Sequence, residues 1–199
     1  MDKIYDITVV GGGIVGAATF YKLQQYFPNK NLLLIEKEDH LAKHQSGNNS
    51  GVIHSGLYYT PGSNKARNCV LGRHELVKFS KEHKINHDVC GKVVVATKNK
   101  ELKFLDKIYN NGLENNTEGI EKINSKQIMD LEPEVNGIAG IWVPCTGIID
   151  YVQATNKMIE VACGLNENSK VILSQEVMNI DNDGDIKTVS YTHLTLPTM

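Results

Sequence analysis

The sequence lacks three patterns that would each assign a class outright: a Cys-x-x-Cys pair, an apolar run long enough to cross a bilayer, and a block of basic residues. The four cysteines, Cys69, Cys90, Cys145 and Cys163, are widely spaced and show no metal-ligand spacing with histidine. That argues against a zinc site or a disulfide framework and for reduced, mostly buried thiols, so no metal is expected. No apolar stretch approaches the roughly 20 residues of a membrane-spanning helix. The formal net charge of −2 gives no basic field for nucleic acid or an anionic surface. A glycine motif begins within a dozen residues of Met1, which leaves no room for a secretory or Arg-rich leader, and a cytoplasmic protein of bacterial type is expected.

What is present starts with Ile4-Tyr5-Asp6-Ile7-Thr8-Val9-Val10, an apolar run that enters Gly11-Gly12-Gly13-Ile14-Val15-Gly16. A second apolar run, Leu32-Leu33-Leu34-Ile35, ends at Glu36, twenty residues beyond Gly16. The order reads as strand, glycine turn, helix, strand and acid, the half-site for a dinucleotide. Gly11 permits the tight turn, Gly13 lets backbone approach a pyrophosphate, and Gly16 lets helix pack on strand. Ile14 and Val15 open the helix, whose free N–H groups and partial positive charge favour phosphates. Glu36, followed by Lys37, is placed to accept from a ribose diol. FAD and NAD both use this arrangement.

The stretch from His44 to Pro61 favours FAD. It contains Gln45, Ser46, Asn48, Asn49, Ser50, Gly51, His54 and Gly56, too many small polar residues for a core element, yet Val52-Ile53 and Leu57-Tyr58-Tyr59 within it call for burial. A nicotinamide domain would run from its second strand into a plain helix. A long small-residue segment here instead offers bare N–H groups to phosphates and a flavin ring.

With these motifs in hand the sequence resembles the L-2-hydroxyglutarate oxidase (dehydrogenase) family, within the FAD-dependent oxidoreductases of the D-amino-acid oxidase type. The resemblance is carried by GGGIVGAAT at 11–19, LLLIEKE at 32–38, HQSGNNSGVIHSGLYYTPGS at 44–63, GKVVVAT at 91–97, LEPEVNG at 131–137 and VPCTGIIDY at 143–151. Two positions depart from it: Asn48 stands where the family usually has histidine, and Asn64 where it usually has leucine. The resemblance implies an α/β, Rossmann-like FAD-binding domain with part of an α+β substrate domain. It also implies oxidation of a 2-hydroxy acid, L-2-hydroxyglutarate, to 2-oxoglutarate, with electrons passed on to oxygen or a quinone. Peripheral attachment to the inner membrane stays open for a quinone-linked enzyme.

Helical spacing is expected from Ser63 to His83 and from Glu101 to a stop at Asn111-Gly112, with strands at 89–97 and 138–143. Ser125 is expected to cap a short helix that ends before Glu132-Pro133, and Asp150 the next one, up to Gly164. Two short strands follow around Gln175, then a turn at Asp181–Gly184. The expected organisation is an FAD-binding segment at 1–83, part of a substrate domain at 84–147 and a return toward the FAD domain at 148–188. Residues 189–199 resemble a translated sequencing adaptor, so a non-native tail on a fragment is expected.

His54 is the candidate catalytic base, with packing against flavin or backbone as its bland alternative. Tyr58 and Tyr59 offer phenols to a substrate carboxylate, or plain aromatic packing. Lys65 and Arg67 attract a dicarboxylate or simply solvate a helix start, and Thr146 and Asp150 combine turn and cap chemistry with a place near the domain return. Two alternatives remain at this level: another flavoenzyme of the group, acting on amines, amino acids or glycerol 3-phosphate, and an inactive FAD-binding fragment.

Overall fold

The computed structural model describes residues 4–183 and 186–192. In chain order the elements are β1 (Ile7–Val10), α1 (Ile14–Tyr26), β2 (Leu32–Ile35), β3 (Val52–Ile53), α2 (Asn64–Glu82), β4 (His87–Asp88) and β5 (Lys92–Ala96). There follow α3 (Leu102–Glu114), β6 (Glu121–Asn124), α4 (Ser125–Leu131), β7 (Ala139–Val143), β8 (Gly147–Ile149), α5 (Tyr151–Leu165), β9 (Lys170–Ile172), β10 (Val177–Asp183) and β11 (Ile186–Tyr191). They form two compact units, Met1–Ser50 with Tyr151–Met199, and Gly51–Asp150. The first division falls at 50/51, where sequence alone suggests 83/84. Val52 and Ile53 pair with Ile148 and Gly147, which commits the chain to the second unit as soon as the asparagine-rich loop ends.

The first unit is built on a parallel sheet of order β1-β2-β9. Ile7 pairs with Leu32 and Val10 with Ile35, while Leu33 to Ile35 pair with Lys170 to Ile172. Central β2 is buried along its whole length, as an unbroken Leu-Leu-Leu-Ile run requires. Each of those side chains contributes about 1.5–3 kcal/mol of burial. Helix α1 buries Ala17, Phe20 and Gln24, spaced three and four apart, and packs against α5, which buries Ala154, Thr155, Met158, Ile159 and Ala162.

Gln24 is the polar member of this core. Its Nε2 donates to the carbonyls of Phe27 and Lys30, each at 3.2 Å, and its Oε1 accepts from Ser169 Oγ at 2.6 Å. Ser169 Oγ also accepts the Leu32 N–H at 2.8 Å, so one buried hydroxyl joins the end of α1, the start of β2 and the turn before β9.

An antiparallel hairpin, β10 with β11, closes the described chain from Val177↔Tyr191 to Asp183↔Ile186. Asp181–Asp183 lie in a strand here and not in the expected turn, and Gly184 lies outside the described residues. Val189–Tyr191, within the stretch read as a tail, pair in this hairpin, an arrangement their Val-Ser-Tyr alternation tolerates; residues 193–199 are not described.

The second unit holds two antiparallel sheets, β3-β8-β4 and β5-β7-β6. The three-residue β8 was not legible in the sequence. An apolar core of this unit joins Leu57, Ala96, Leu105, Ile108, Ile120, Ile141 and Val143. Helix α3 runs through Asn111-Gly112, where a stop was expected, to Glu114. A Cβ on Gly112 would lie 2.6 Å from Leu57 Cδ1 and 2.8 Å from Ile120 Cδ1, so this glycine serves close packing. Ser63 caps α2, which starts at Asn64, accepting from the Ala66 N–H, whereas Asn124 rather than Ser125 caps α4 through a capping box with Gln127. The cysteines are free, but three are only partly buried and Cys90 is exposed, so they are not the core residues expected.

Replacing Ser169 with alanine leaves the Leu32 N–H and Gln24 Oε1 buried without a partner. The expected cost is about 2–6 kcal/mol, from about 1–3 kcal/mol for each of the two orphaned groups, read as a lowered urea midpoint. An unchanged midpoint would show that this hydroxyl joins nothing of consequence.

Candidate functional site

The glycine turn is set by close approach. Gly11 adopts φ +105°, a left-handed value that disfavours other residues, and its N–H donates to the Ile35 carbonyl at 2.8 Å. A Cβ on Gly16 would fall 1.9 Å from the Gly11 carbonyl oxygen, so no side chain fits where α1 crosses the turn. Gly13 caps α1 in extended conformation and supplies no side-chain hydrogen bond, and the first turn carries no acidic residue. Val15, in that turn, is 77% exposed. Ile14 donates its N–H to Ser46 Oγ at 2.9 Å, which fixes the small-residue loop against the helix start.

Glu36 is buried, and each of its oxygens is engaged. Oε2 accepts the Gly12 N–H at 2.5 Å and Oε1 the Glu38 N–H at 2.9 Å. These two bonds orient the carboxylate and leave each oxygen a further lone pair for a hydroxyl. Lys37, beside it, is exposed.

From Asp39 to Ser50 the chain has turns but no regular element, and two asparagines organise it. The Asn48 amide donates to the Lys43 and His44 carbonyls, both at 2.8 Å, and the Asn49 amide to those of Gln45 (3.1 Å) and Ser46 (2.7 Å). Four consecutive carbonyls are thereby held by side chains. Asn48, a departure from the family pattern, thus has a structural task that its amide performs. Gln45 adds a 3.4 Å bond to the Asn48 carbonyl, and Ser50 is exposed. Glu38 and Asp39 gather Lys43, His44 and His40, and hydrogen bonds from those partners hold both carboxyls below their ordinary range.

The remaining sequence-derived candidates lie in the second unit. Gly51 has φ +67° and its carbonyl accepts from the Ile149 N–H at 2.8 Å. His54 is exposed; partial desolvation and then the charge of Lys92 hold its pKa below the ordinary value. Tyr58 is 48% exposed, and burial of its phenol raises its pKa. The Lys92 ammonium lies 4.7 Å from the Tyr58 ring centroid, and Lys65 lies 4.9 Å from that of Tyr59. Arg67 turns back to the Gly62 carbonyl at 2.9 Å. Thr146 is buried and accepts the Gly91 N–H through its carbonyl, while the Asp150 N–H donates to the Asn86 carbonyl.

Three residues that the sequence did not single out support this loop. Buried Asn115 donates to the carbonyls of Gly56 (3.1 Å) and Tyr59 (2.8 Å), and Thr117 Oγ1 to that of Ser55 at 3.5 Å. Lys92 places its charge beside His54 and Tyr58. Asn115 and Thr117 were hidden in a polar stretch that reads as solvated, although their burial together with Ile120 distinguishes it.

The chemistry of the first unit is compatible with the nucleotide part of a cofactor. A helix start with a cap that has no Cβ and no acid in its first turn, beside a buried, oriented carboxylate, has the chemistry that could hold a pyrophosphate and a ribose diol. The family model for FAD dependent oxidoreductases matches residues 6–196. The chain belongs to that family. Its cofactor is therefore FAD, as the sequence led us to expect.

Among curated proteins, this FAD dependent oxidoreductase is similar to the L-2-hydroxyglutarate dehydrogenase of Indibacter alkaliphilus, at 43% identity over 95% of this chain and 46% of that one. The mitochondrial L-2-hydroxyglutarate dehydrogenase of Dictyostelium discoideum is 39% identical over 92% of this chain and 42% of its own. The chain thus spans about half the length of these relatives. Among solved structures, the dithionite-reduced L-alpha-glycerophosphate oxidase of Mycoplasma pneumoniae with FAD bound aligns with a TM-score of 0.86 and 29% identity, covering 99% of this chain and 52% of that one.

Among the described residues no helix is long and apolar enough to cross a membrane, and no group of three or more metal-ligating side chains occurs.

Glu36→Gln keeps one acceptor oxygen and removes the charge. Purified in complete form, the variant is expected to lose most of its flavin on gel filtration while keeping native circular dichroism. A flavin-to-protein ratio equal to that of the unaltered protein would remove Glu36 from the cofactor site.

Proposed function

We propose that the complete protein of which this sequence forms part oxidises L-2-hydroxyglutarate to 2-oxoglutarate with FAD as cofactor. The observation that carries the reading is the combination of the glycine turn and Glu36 with relatives, 39% and 43% identical, that are named for that substrate. FAD, when bound, supplies the hydride acceptor.

In the proposed mechanism the first unit holds the cofactor. Gly11, Gly13, Ile14, Val15 and Gly16 present backbone to its phosphates, and Glu36 accepts from its ribose. Gln45, Ser46, Asn49, Ser50 and Gly51 shape the segment that leads on from there. His54 takes the proton of the substrate hydroxyl. Its depressed pKa keeps the imidazole neutral, and so able to accept a proton, throughout the neutral range. Tyr58 and Tyr59 hydrogen-bond a substrate carboxylate. Electrons leave to oxygen or a quinone, and the protein works in the cytoplasm or at the periphery of the inner membrane.

The solved relative named for L-alpha-glycerophosphate keeps a second substrate in view, and the two separate in one experiment. Under anaerobic conditions L-2-hydroxyglutarate is expected to bleach the flavin of the complete protein within the mixing time. Bleaching by glycerol 3-phosphate or sarcosine, with none by L-2-hydroxyglutarate, would reassign the substrate.

The pH profile carries a second expectation. Because the His54 pKa is lowered, its basic form is lost only as pH falls below about 6.5. kcat/KM should rise with pH through a limb below that value and then level off. His54→Gln should lower kcat/KM about a hundredfold or more, the usual scale of general-base catalysis, and abolish the limb. A limb that survives unchanged in the variant belongs to another group.

A further inference from the structure

Lys92 is a half-buried cation with no carboxylate partner among the described residues. It opens β5, where alternation puts Lys92, Val94 and Ala96 on one face, paired across to Val143, Ile141 and Ala139 of β7. Val94, Ala96, Ile141 and Val143 on that face belong to the apolar core around Leu57 or pack against it. Lysine is rarely buried unless it is paired. Lys122 of β6, level with Ile141 on the same face, shows the ordinary solution: its ammonium lies 2.6 Å from Asp106 Oδ1 and 5.0 Å from the Tyr109 ring centroid. Lys92 has the matching aromatic, Tyr58, at 4.7 Å, but among the described residues no carboxylate within ion-pair distance.

The neighbours it does have are chemically suggestive. Its charge acts on His54, and burial lowers its own pKa. A cation kept on an apolar face beside a neutral imidazole and a phenol wants an acidic oxygen, and a carboxylate would satisfy it with a charge-assisted hydrogen bond.

We propose that Lys92, set against the Tyr58 ring, binds a carboxylate of the substrate as a determinant of specificity for 2-hydroxy acids. The proposal rests on the reading under Proposed function. Lys92 carries the binding energy, Tyr58 steadies the ammonium from its ring face, and His54 addresses the hydroxyl next to the bound acid.

The test uses the complete flavoprotein with Lys92→Met and Lys92→Arg. Glutarate, which has the carboxylates but no hydroxyl to oxidise, serves as a competitive inhibitor. In K92M the KM for L-2-hydroxyglutarate and the Ki for glutarate are expected to rise together by about thirtyfold or more, the scale for removing one partner of a desolvated charge pair. kcat at saturation should stay within about threefold. K92R should recover most of the glutarate affinity, which a mere packing role would not allow. If K92M lowers kcat or shifts the acid limb but leaves KM and Ki unchanged, Lys92 acts only through His54 and the proposal is overturned. If both variants bind glutarate as the native protein does, it is overturned as well. Failure of the native protein to oxidise L-2-hydroxyglutarate at all overturns the functional reading and this assignment together, whereas native turnover with an unaffected K92M overturns this assignment alone.

Discussion

The carboxylate of Glu36 is the constraint on which the first unit turns. By accepting the N–H groups of Gly12 and Glu38 it extends the β1–β2 pairing past the strand ends, tying the glycine turn to the chain leaving β2. A buried carboxylate is tolerated there because backbone donors compensate for its lost hydration. The same placement leaves lone pairs for a sugar and puts the donor-rich start of α1 nearby. Loop geometry follows from it as well, since Ala42 donates to the Gly12 carbonyl and Ser46 accepts from Ile14.

The second unit solves a different problem, how to hold an irregular segment in place. Residues 54–59 have no ladder of their own. Asn115 and Thr117, at the end of α3, take three of the segment's carbonyls, and Leu57 anchors it in the apolar core. The segment is therefore fixed by side chains from an element whose sequence looks unremarkable. On that support His54 and Tyr58 stand at the surface and Lys92 is half-buried beside the Tyr58 ring, a grouping of imidazole, phenol and cation.

What the sequence disclosed was local. The glycine turn, Glu36 and the buried β2 were legible because their spacing is itself the physical requirement: a turn, a helix and a strand of fixed length. The start of α2 after Pro61-Gly62 and the stop before Pro133 were readable for the same reason. The misjudged features depend on partners distant in sequence. Gly112 looks like a helix stop until Leu57 and Ile120 arrive against it, and β8 is three residues long and exists only through β3 and β4. The division at 50/51 follows from that same pairing. Lys92 escaped notice because a lysine at a strand start ordinarily reads as solvated, and only the core beside it makes it unusual.

The central claim is that the first unit grips a flavin nucleotide by main chain at its phosphates and by Glu36 at its sugar. A crystal structure of the complete protein grown with FAD tests it most directly. The account requires the ribose hydroxyls on the Glu36 carboxylate and the pyrophosphate over the first turn of α1. Ribose density turned away from Glu36, or a nucleotide seated elsewhere, would contradict it.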